Sequence, residues 1–101
     1  MIINLDSVSK QEAFVLMTAS IIPRPIAWVL SENIDGGLNI GPFSFFNAVT
    51  SNPPLLMISA GINPDGSYKD TLYNIRDRHQ FVIHIVSLEQ IQDMNQSAEA
   101  H

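Results

Sequence analysis

The 101-residue chain has no cysteine, few basic residues and no long apolar run. Without cysteine it has no disulfide, no thiolate metal ligand and no cysteine nucleophile, a pattern compatible with a reducing cytoplasm. Five Lys and Arg residues stand against ten Asp and Glu residues, for a formal charge of −5, and the basic residues form no cluster. This balance argues against a nucleic-acid groove and against a basic face for anionic membranes.

Signals for membranes and secretion are missing too. No apolar run approaches the roughly 20 residues that a helix needs to span a bilayer. The first residues, Met1 to Asp6, lack the basic and apolar regions of a secretory signal. We therefore expect a cytoplasmic protein with no membrane contact.

Familiar catalytic and metal-binding motifs are also absent. The three histidines, at positions 79, 84 and 101, lack the spacing of metal ligands. The sequence contains no G-x-S-x-G elbow, no phosphate-binding Walker loop and no G-x-G-x-x-G. If the protein is an enzyme, its reactive group comes from a bound cofactor, because hydride and electron transfer need little from side chains.

The pattern of apolar residues, prolines and glycines predicts one domain over residues 1–101, built from strands and short helices. A capping box at Ser9 opens the first helix, and a second box at Ser87 opens the last. Turn residues before position 38 predict an antiparallel return, and Gly41-Pro42 predicts a bulge or an edge in the returning segment. The predicted elements are a helix ending near 20, strands at 26–30, 38–49, 55–60 and 81–86, a helix at 70–78 and a helix after 87. The strand at 55–60 is apolar on both faces, so we expect it to be central in the sheet.

The first candidate binding segment is residues 39–47. Here Gly41 and Pro42 lie between the amide of Asn39 and the hydroxyl of Ser44, beside three phenylalanines. Backbone amides in such a segment can contact the polar edge of a flat heteroaromatic ring. The alternative is a bulged strand whose phenylalanines fill the core.

The second candidate binding segment is residues 67–72. It brings a Ser, a Lys and a Thr to the predicted start of a helix, where free amides and the positive end of the helix dipole favour phosphate. The alternative is an ordinary cap by Asp70 or Thr71, with Lys69 in solvent.

Other residues have two interpretations each. Arg24 lies between two prolines and is suited either to a phosphate contact or to a structural ion pair. His84 and Trp28, in apolar strands, are interpreted as core or interface residues rather than as catalytic ones. The run from Arg76 to Arg78 is predicted to be a solvated helix end.

Five separated segments resemble one known family. They are Ile-Pro-Arg-Pro-Ile-Ala at 22–27, the segment 39–47, Asn-Pro-Pro at 52–54, Lys-Asp-Thr at 69–71 with Asn-Ile at 74–75, and Phe-Val-Ile-His at 81–84. In order and spacing they resemble the flavin reductase-like family, which has the FMN-binding split β-barrel fold. The resemblance extends over residues 19–98.

The resemblance implies a mainly β fold with short helices, a non-covalently bound FMN and NAD(P)H as the source of electrons. The residues it places at the flavin are Asn39, Gly41, Pro42, Ser44, Ser59, Lys69, Asp70 and Thr71. The first four would line the ring and ribityl region, and the last four would serve the ribityl chain and the phosphate. It also implies a homodimer and a monooxygenase or other electron acceptor as partner.

Relatives in this family continue well past the segment at 95–98, where they add strands that complete the barrel. We therefore expect this chain to be the N-terminal part of the family domain, with the barrel incomplete at its C-terminal end and a wall supplied by a second copy. Three functions follow as alternatives: a flavin reductase, an FMN-binding module that has lost the nicotinamide site, and a dimeric interaction module without flavin.

Overall fold

The structure is a computed structural model that describes residues 1–99. The last two positions of the predicted domain lie outside the described residues, and one of them is His101, the third histidine of the sequence. The described residues form five strands and three α-helices. They are α1 (Lys10–Ser20), β1 (Ala27–Glu32), β2 (Leu38–Phe43), β3 (Phe46–Ser51), β4 (Pro54–Ile58), α2 (Asp70–Arg78), β5 (Val82–Ile85) and α3 (Ile91–Glu99). The mainly β fold with short helices is therefore confirmed.

The first sheet has the strand order β2-β1-β5, with both pairings antiparallel. Its central strand β1 alternates between buried and half-buried positions. Ala27 and Val29 have no exposed surface, and with Met94 of α3 they form the apolar core of the described chain. The predicted turn before β2 is confirmed: Asn33 N–H donates to the Gly37 carbonyl over 2.7 Å, and Gly36 has a φ of 91°.

The single returning strand predicted at 38–49 is wrong, because the chain forms two strands there. Gly41 and Pro42 stay in register with Val29 and Trp28, so they do not interrupt β2. Within the described chain β2 is an edge strand, which is where a sheet tolerates a residue that lacks an N–H. The chain leaves this sheet at residues 44–45 and starts a second one.

The second sheet consists of β3 and β4 in antiparallel register, with an irregularity between Ala48 and Thr50. The prediction that the strand at 55–60 is central is wrong for the described chain. Within residues 1–99, β4 pairs only with β3, and Leu55 and Leu56 are 49% and 58% exposed. Apolar residues on both faces indicate a tendency to be buried, but they do not specify which strands lie alongside.

Helix α1 and the turn that leads into α3 begin where the capping residues predict. Ser9 Oγ accepts a hydrogen bond from Glu12 N–H over 3.0 Å at the start of α1. At Ser87 the predicted capping box is present, and it opens a short 3₁₀ turn, Leu88–Gln90, that leads into α3. Helix α2 packs against β1 and β2, and α3 packs against β2. None of the helices in residues 1–99 has the length and apolar character that crossing a bilayer requires.

Candidate functional site

A cavity of about 530 Å³ lies between α1, the proline-rich segment that follows it and the second sheet. Its walls are mostly aromatic, aliphatic or thioether side chains, with one cation and three polar side chains among them. The lining residues are Met17, Ile21, Pro23, Arg24, Pro25, Ser44, Phe45, Phe46, Asn47, Met57 and Ser59.

The link between the two sheets shapes this cavity. Residues 44–45 connect β2 to β3, and Ser59 follows the end of β4. Ser59 N–H donates to the Phe45 carbonyl over 2.9 Å, which holds the end of β4 against the link. Two residues from the predicted flavin set, Ser44 and Ser59, are thereby brought to the same cavity although they are far apart in sequence.

Arg24 supplies the positive charge of the cavity. Its Nη1 donates to the Thr18 and Ile21 carbonyls over 3.2 and 3.3 Å, near the end of α1. Its Nε and Nη2 both lie 3.4 Å from Ser44 Oγ, and the guanidinium lies 5.3 Å from the centre of the Phe45 ring. The structural ion pair that was one interpretation of Arg24 does not form: within residues 1–99 the ion pair present is Arg78–Glu32.

This lining suits a flat aromatic ligand with polar edges. The phenylalanine and methionine side chains can contact the faces of a ring, while Ser44, Asn47 and Ser59 can hydrogen-bond its edges. Arg24 adds a charge that favours an electron-rich or anionic group. A flavin combines these features, so the residues present fit the group. In the described part of the chain, no group of three or more His, Asp or Glu side chains is placed to hold a metal ion.

The predicted phosphate segment lies at the start of α2, and none of its residues lines the cavity. Lys69 is the N-cap residue and is half-buried, and its side chain makes no capping hydrogen bond. Asp70 is exposed. The alternative in which Asp70 or Thr71 caps this helix is therefore wrong, and Lys69 remains a candidate phosphate ligand.

Asn39 and Thr71, two more predicted site residues, contact each other. Asn39 Nδ2 donates to Thr71 Oγ1 over 2.9 Å, and both residues are buried. Beside them, Asn74 Nδ2 donates to Ser31 Oγ and to Asn33 Oδ1 over 3.0 and 2.8 Å. These bonds fasten α2 to the first sheet. Gly41 and Pro42 likewise lie in the β1–β2 ladder and do not line the cavity.

Sequence reasoning missed Asn47 and Met57, which both line the cavity. Asn47 is the last residue of the candidate segment 39–47, and Met57 lies in β4. Arg24 lines this cavity and also a second one of about 430 Å³ beside β5 and the turn before α3. Arg24 is the residue that the sequence did single out, by its position between two prolines, which restrict the backbone on both sides of it.

An apolar cavity with a cationic edge, bounded by α1 and the second sheet, is suited to an aromatic ligand. The sequence comparison gives the family. Residues 17–101 match the family described as flavin reductase like domain, and the chain belongs to it. This confirms the family predicted from the five segments.

Relatives in several bacteria match nearly the whole chain. An uncharacterised protein of Halalkalibacterium halodurans is 41% identical over 96 residues, which are 95% of this chain and 46% of that protein. The protein YwrF of Bacillus subtilis is 39% identical over 97 residues, which are 96% of this chain and 47% of that protein. The chain thus spans about half the length of these relatives.

Two crystal structures have a similar fold. Nitrilotriacetate monooxygenase component B from Bacillus cereus superposes with a TM-score of 0.88 at 37% identity, over 96% of this chain and 48% of that one. The 2-nitrobenzoate 2-nitroreductase NbaA of Pseudomonas fluorescens has a TM-score of 0.81 at 35% identity, over 96% of this chain and 46% of that one. The similarity therefore extends through both sheets and the helices of this chain.

Proposed function

We propose that this protein is an FMN-binding, flavin reductase-like oxidoreductase that transfers reducing equivalents from NAD(P)H to flavin. The observation that carries the proposal is the cavity of about 530 Å³, with its apolar walls, its hydroxyl groups from Ser44 and Ser59, and its cation at Arg24. Membership of the flavin reductase-like family supports the same ligand. When bound, a flavin supplies the hydride and electron chemistry, so the protein needs to bind and orient it.

In this proposal each predicted site residue either contacts the flavin or supports a residue that does. Ser44 and Ser59 lie at the cavity and contact the ring and the ribityl chain directly. Lys69 and the first turn of α2 bind the phosphate, with Asp70 at the exposed start of that turn. Asn39 and Thr71 act through each other, because their hydrogen bond holds α2 against β2. Gly41 and Pro42 shape the strand that leads into Ser44.

We further propose a homodimer and an electron-accepting partner such as a monooxygenase. One structural neighbour is a monooxygenase component B, which supports a two-component system. Exposed apolar side chains support self-association: Leu56 of β4 is 58% exposed and Ile85 of β5 is 74% exposed. We propose that the chain forms a single domain, and its cytoplasmic location remains a prediction.

The experiment is the visible spectrum of the purified protein, followed by NADH and NADPH oxidation with added FMN. Flavin absorbance and oxidation at micromolar protein are expected. A yellow protein that oxidises neither nucleotide would support the binding module instead. A colourless protein that gains no thermal stability at saturating FMN would contradict flavin binding, since a ligand of the native state must raise stability.

A further inference from the structure

The Nε–Nη2 edge of the Arg24 guanidinium, which lies against Ser44 at the cavity of about 530 Å³, is only weakly engaged. Its Nε and Nη2 share one acceptor, Ser44 Oγ, at 3.4 Å each. Both distances exceed the usual nitrogen-to-oxygen distance of about 2.9–3.0 Å, so these are two long hydrogen bonds to one acceptor. Through this edge an arginine can donate two parallel hydrogen bonds to two neighbouring acceptor atoms, as it does to the two oxygens of a carboxylate.

The rest of Arg24 is held firmly. Its Nη1 is bonded to the carbonyls of Thr18 and Ile21, and its plane lies over Phe45 at 5.3 Å. The guanidinium is therefore fixed against the aromatic wall on which a flat ring would lie. Since the described chain offers it no carboxylate, its charge is left for the contents of the cavity.

Ser44 adds a hydrogen-bond donor beside the Arg24 guanidinium. Its Oγ accepts from Arg24, which leaves its own hydroxyl proton for an acceptor in the cavity that it lines. Arg24 and Ser44 thus present donors and one positive charge, and no acceptor of their own, to the same edge of a bound molecule.

We propose that Arg24 and Ser44 bind the N1–C2 carbonyl edge of the flavin ring, so that the site binds reduced flavin more tightly than oxidised flavin. This inference rests on the flavin binding proposed above. Taking up two electrons and one proton converts the neutral ring to a monoanion whose charge lies on that edge. A fixed cation within a few ångströms favours the charged form of its neighbour by about tenfold or more.

The flavin ring is favoured over the phosphate as the group that Arg24 meets. The side chains around Arg24 in the cavity include Phe45, Phe46 and Met57, which suit a ring and cannot solvate a phosphate. A separate cation, Lys69 at the start of α2, is available for the phosphate.

The test compares midpoint potentials of bound FMN in the wild-type protein and in Arg24→Gln, together with the dissociation constants of the oxidised flavin. The ratio of reduced to oxidised affinity should fall about tenfold or more in Arg24→Gln, which is a midpoint lower by about 30 mV. Arg24→Lys keeps the charge and should lower the midpoint less. Ser44→Ala should lower it too, without disturbing the bonds from Arg24 to α1.

Arg76→Gln is the matched control, because it removes the same charge from an exposed position that lines neither cavity. Its midpoint should equal that of the wild type. Riboflavin, which lacks the phosphate, should show the same shift in Arg24→Gln as FMN does.

Three results would overturn the proposal. One is an unchanged midpoint in folded Arg24→Gln. If that variant does not fold, unchanged midpoints in both Arg24→Lys and Ser44→Ala count equally. The second is an Arg24→Gln variant that loses affinity for FMN but not for riboflavin, which would show that Arg24 binds the phosphate instead of the ring. The third is a wild-type protein that binds no flavin, and that result alone would also contradict the proposed function.

Discussion

Asn39 of β2 donates a hydrogen bond to Thr71 Oγ1 of α2 over 2.9 Å, and both side chains are buried. This bond joins the two segments in which the sequence predicts flavin contacts. Lys69 lies two residues before Thr71, so its backbone position depends on the same bond. Asn39 and Thr71, both predicted to contact the flavin, thereby help to position the backbone of Lys69.

Breaking this bond should destabilise the fold. Asn39→Ala leaves the Thr71 hydroxyl without its buried donor, and Thr71→Val leaves the Asn39 amide without its acceptor, at about 1–3 kcal/mol each. Urea unfolding measures both losses. In the double variant the losses should be non-additive by about 0.5 kcal/mol or more. Thr71→Ser keeps the hydroxyl and serves as the control, and strictly additive losses would contradict the coupling.

Removing the charge of Lys69 should weaken FMN binding. A charge-assisted contact to phosphate contributes about 1.5–3 kcal/mol, so Lys69→Ala should raise the dissociation constant roughly tenfold or more. Fluorescence titration with FMN and with riboflavin measures the effect, and riboflavin affinity should not change. Lys10→Ala, at the exposed start of α1, is the control. Equal FMN affinity in Lys69→Ala and Lys10→Ala would place the phosphate elsewhere.

Arg78 should contribute more to stability through backbone carbonyls than through its ion pair. Its Nη2 contacts the Asn33 and Ile34 carbonyls at 2.9 and 3.3 Å, and Glu32 at 3.1 Å, so the predicted solvated helix end is wrong at this residue. Arg78→Ala should cost about 1.5–3 kcal/mol, because hydrogen bonds from a charged group are lost.

Its partner provides the comparison. The Glu32 side chain is 41% exposed, so Glu32→Gln should cost less than about 1 kcal/mol. Chemical denaturation of both variants measures the difference. A loss in Glu32→Gln as large as that in Arg78→Ala would show that the ion pair dominates instead.

The loop before α2 should carry a pH-dependent contact. Hydrogen bonds from the Ser67 hydroxyl and amide, at 2.6 and 2.9 Å, hold the pKa of the exposed Asp65 carboxyl below its ordinary value of 3.8. The contact is complete above the unfolded-state pKa and is lost as the pH falls through the lower, folded-state pKa.

An NMR titration of the Asp65 carboxyl measures this effect. The midpoint should lie below 3.8 in the wild type and return toward 3.8 in Ser67→Ala. A midpoint of Asp65 unchanged by Ser67→Ala would contradict the assignment.

Self-association should depend on the exposed face of β4. Leu56 lies opposite Ala48 in the β3–β4 ladder and is 58% exposed, so an acidic side chain there would oppose burial of this face against a second copy. Leu56→Glu should convert the proposed dimer to a monomer in light-scattering measurements. Ile34→Glu, in the exposed turn before β2, should leave the mass unchanged. A dimer that persists in Leu56→Glu would exclude this face.

Local chemistry made several elements predictable. The hydroxyl of Ser9 and the capping box at Ser87 lie within three residues of the amides they bind, so the helix starts follow from neighbouring residues. Gly36 adopts the positive φ that its turn needs. The family could be predicted from the order and spacing of five short segments, because these are properties of the sequence and need no knowledge of the fold.

Longer-range relationships were not predictable in this way. The sequence by itself determined the starts of α1 and of the turn before α3, the turn before β2 and membership of a flavin reductase-like family. Only the tertiary structure decided that Asn39 meets Thr71 across 32 positions and that Arg24 meets Ser44 across 20. Only it placed β4 beside β3 alone within the described chain. Capping and turn formation depend on nearest neighbours, whereas strand partners and buried polar pairs depend on how distant segments pack.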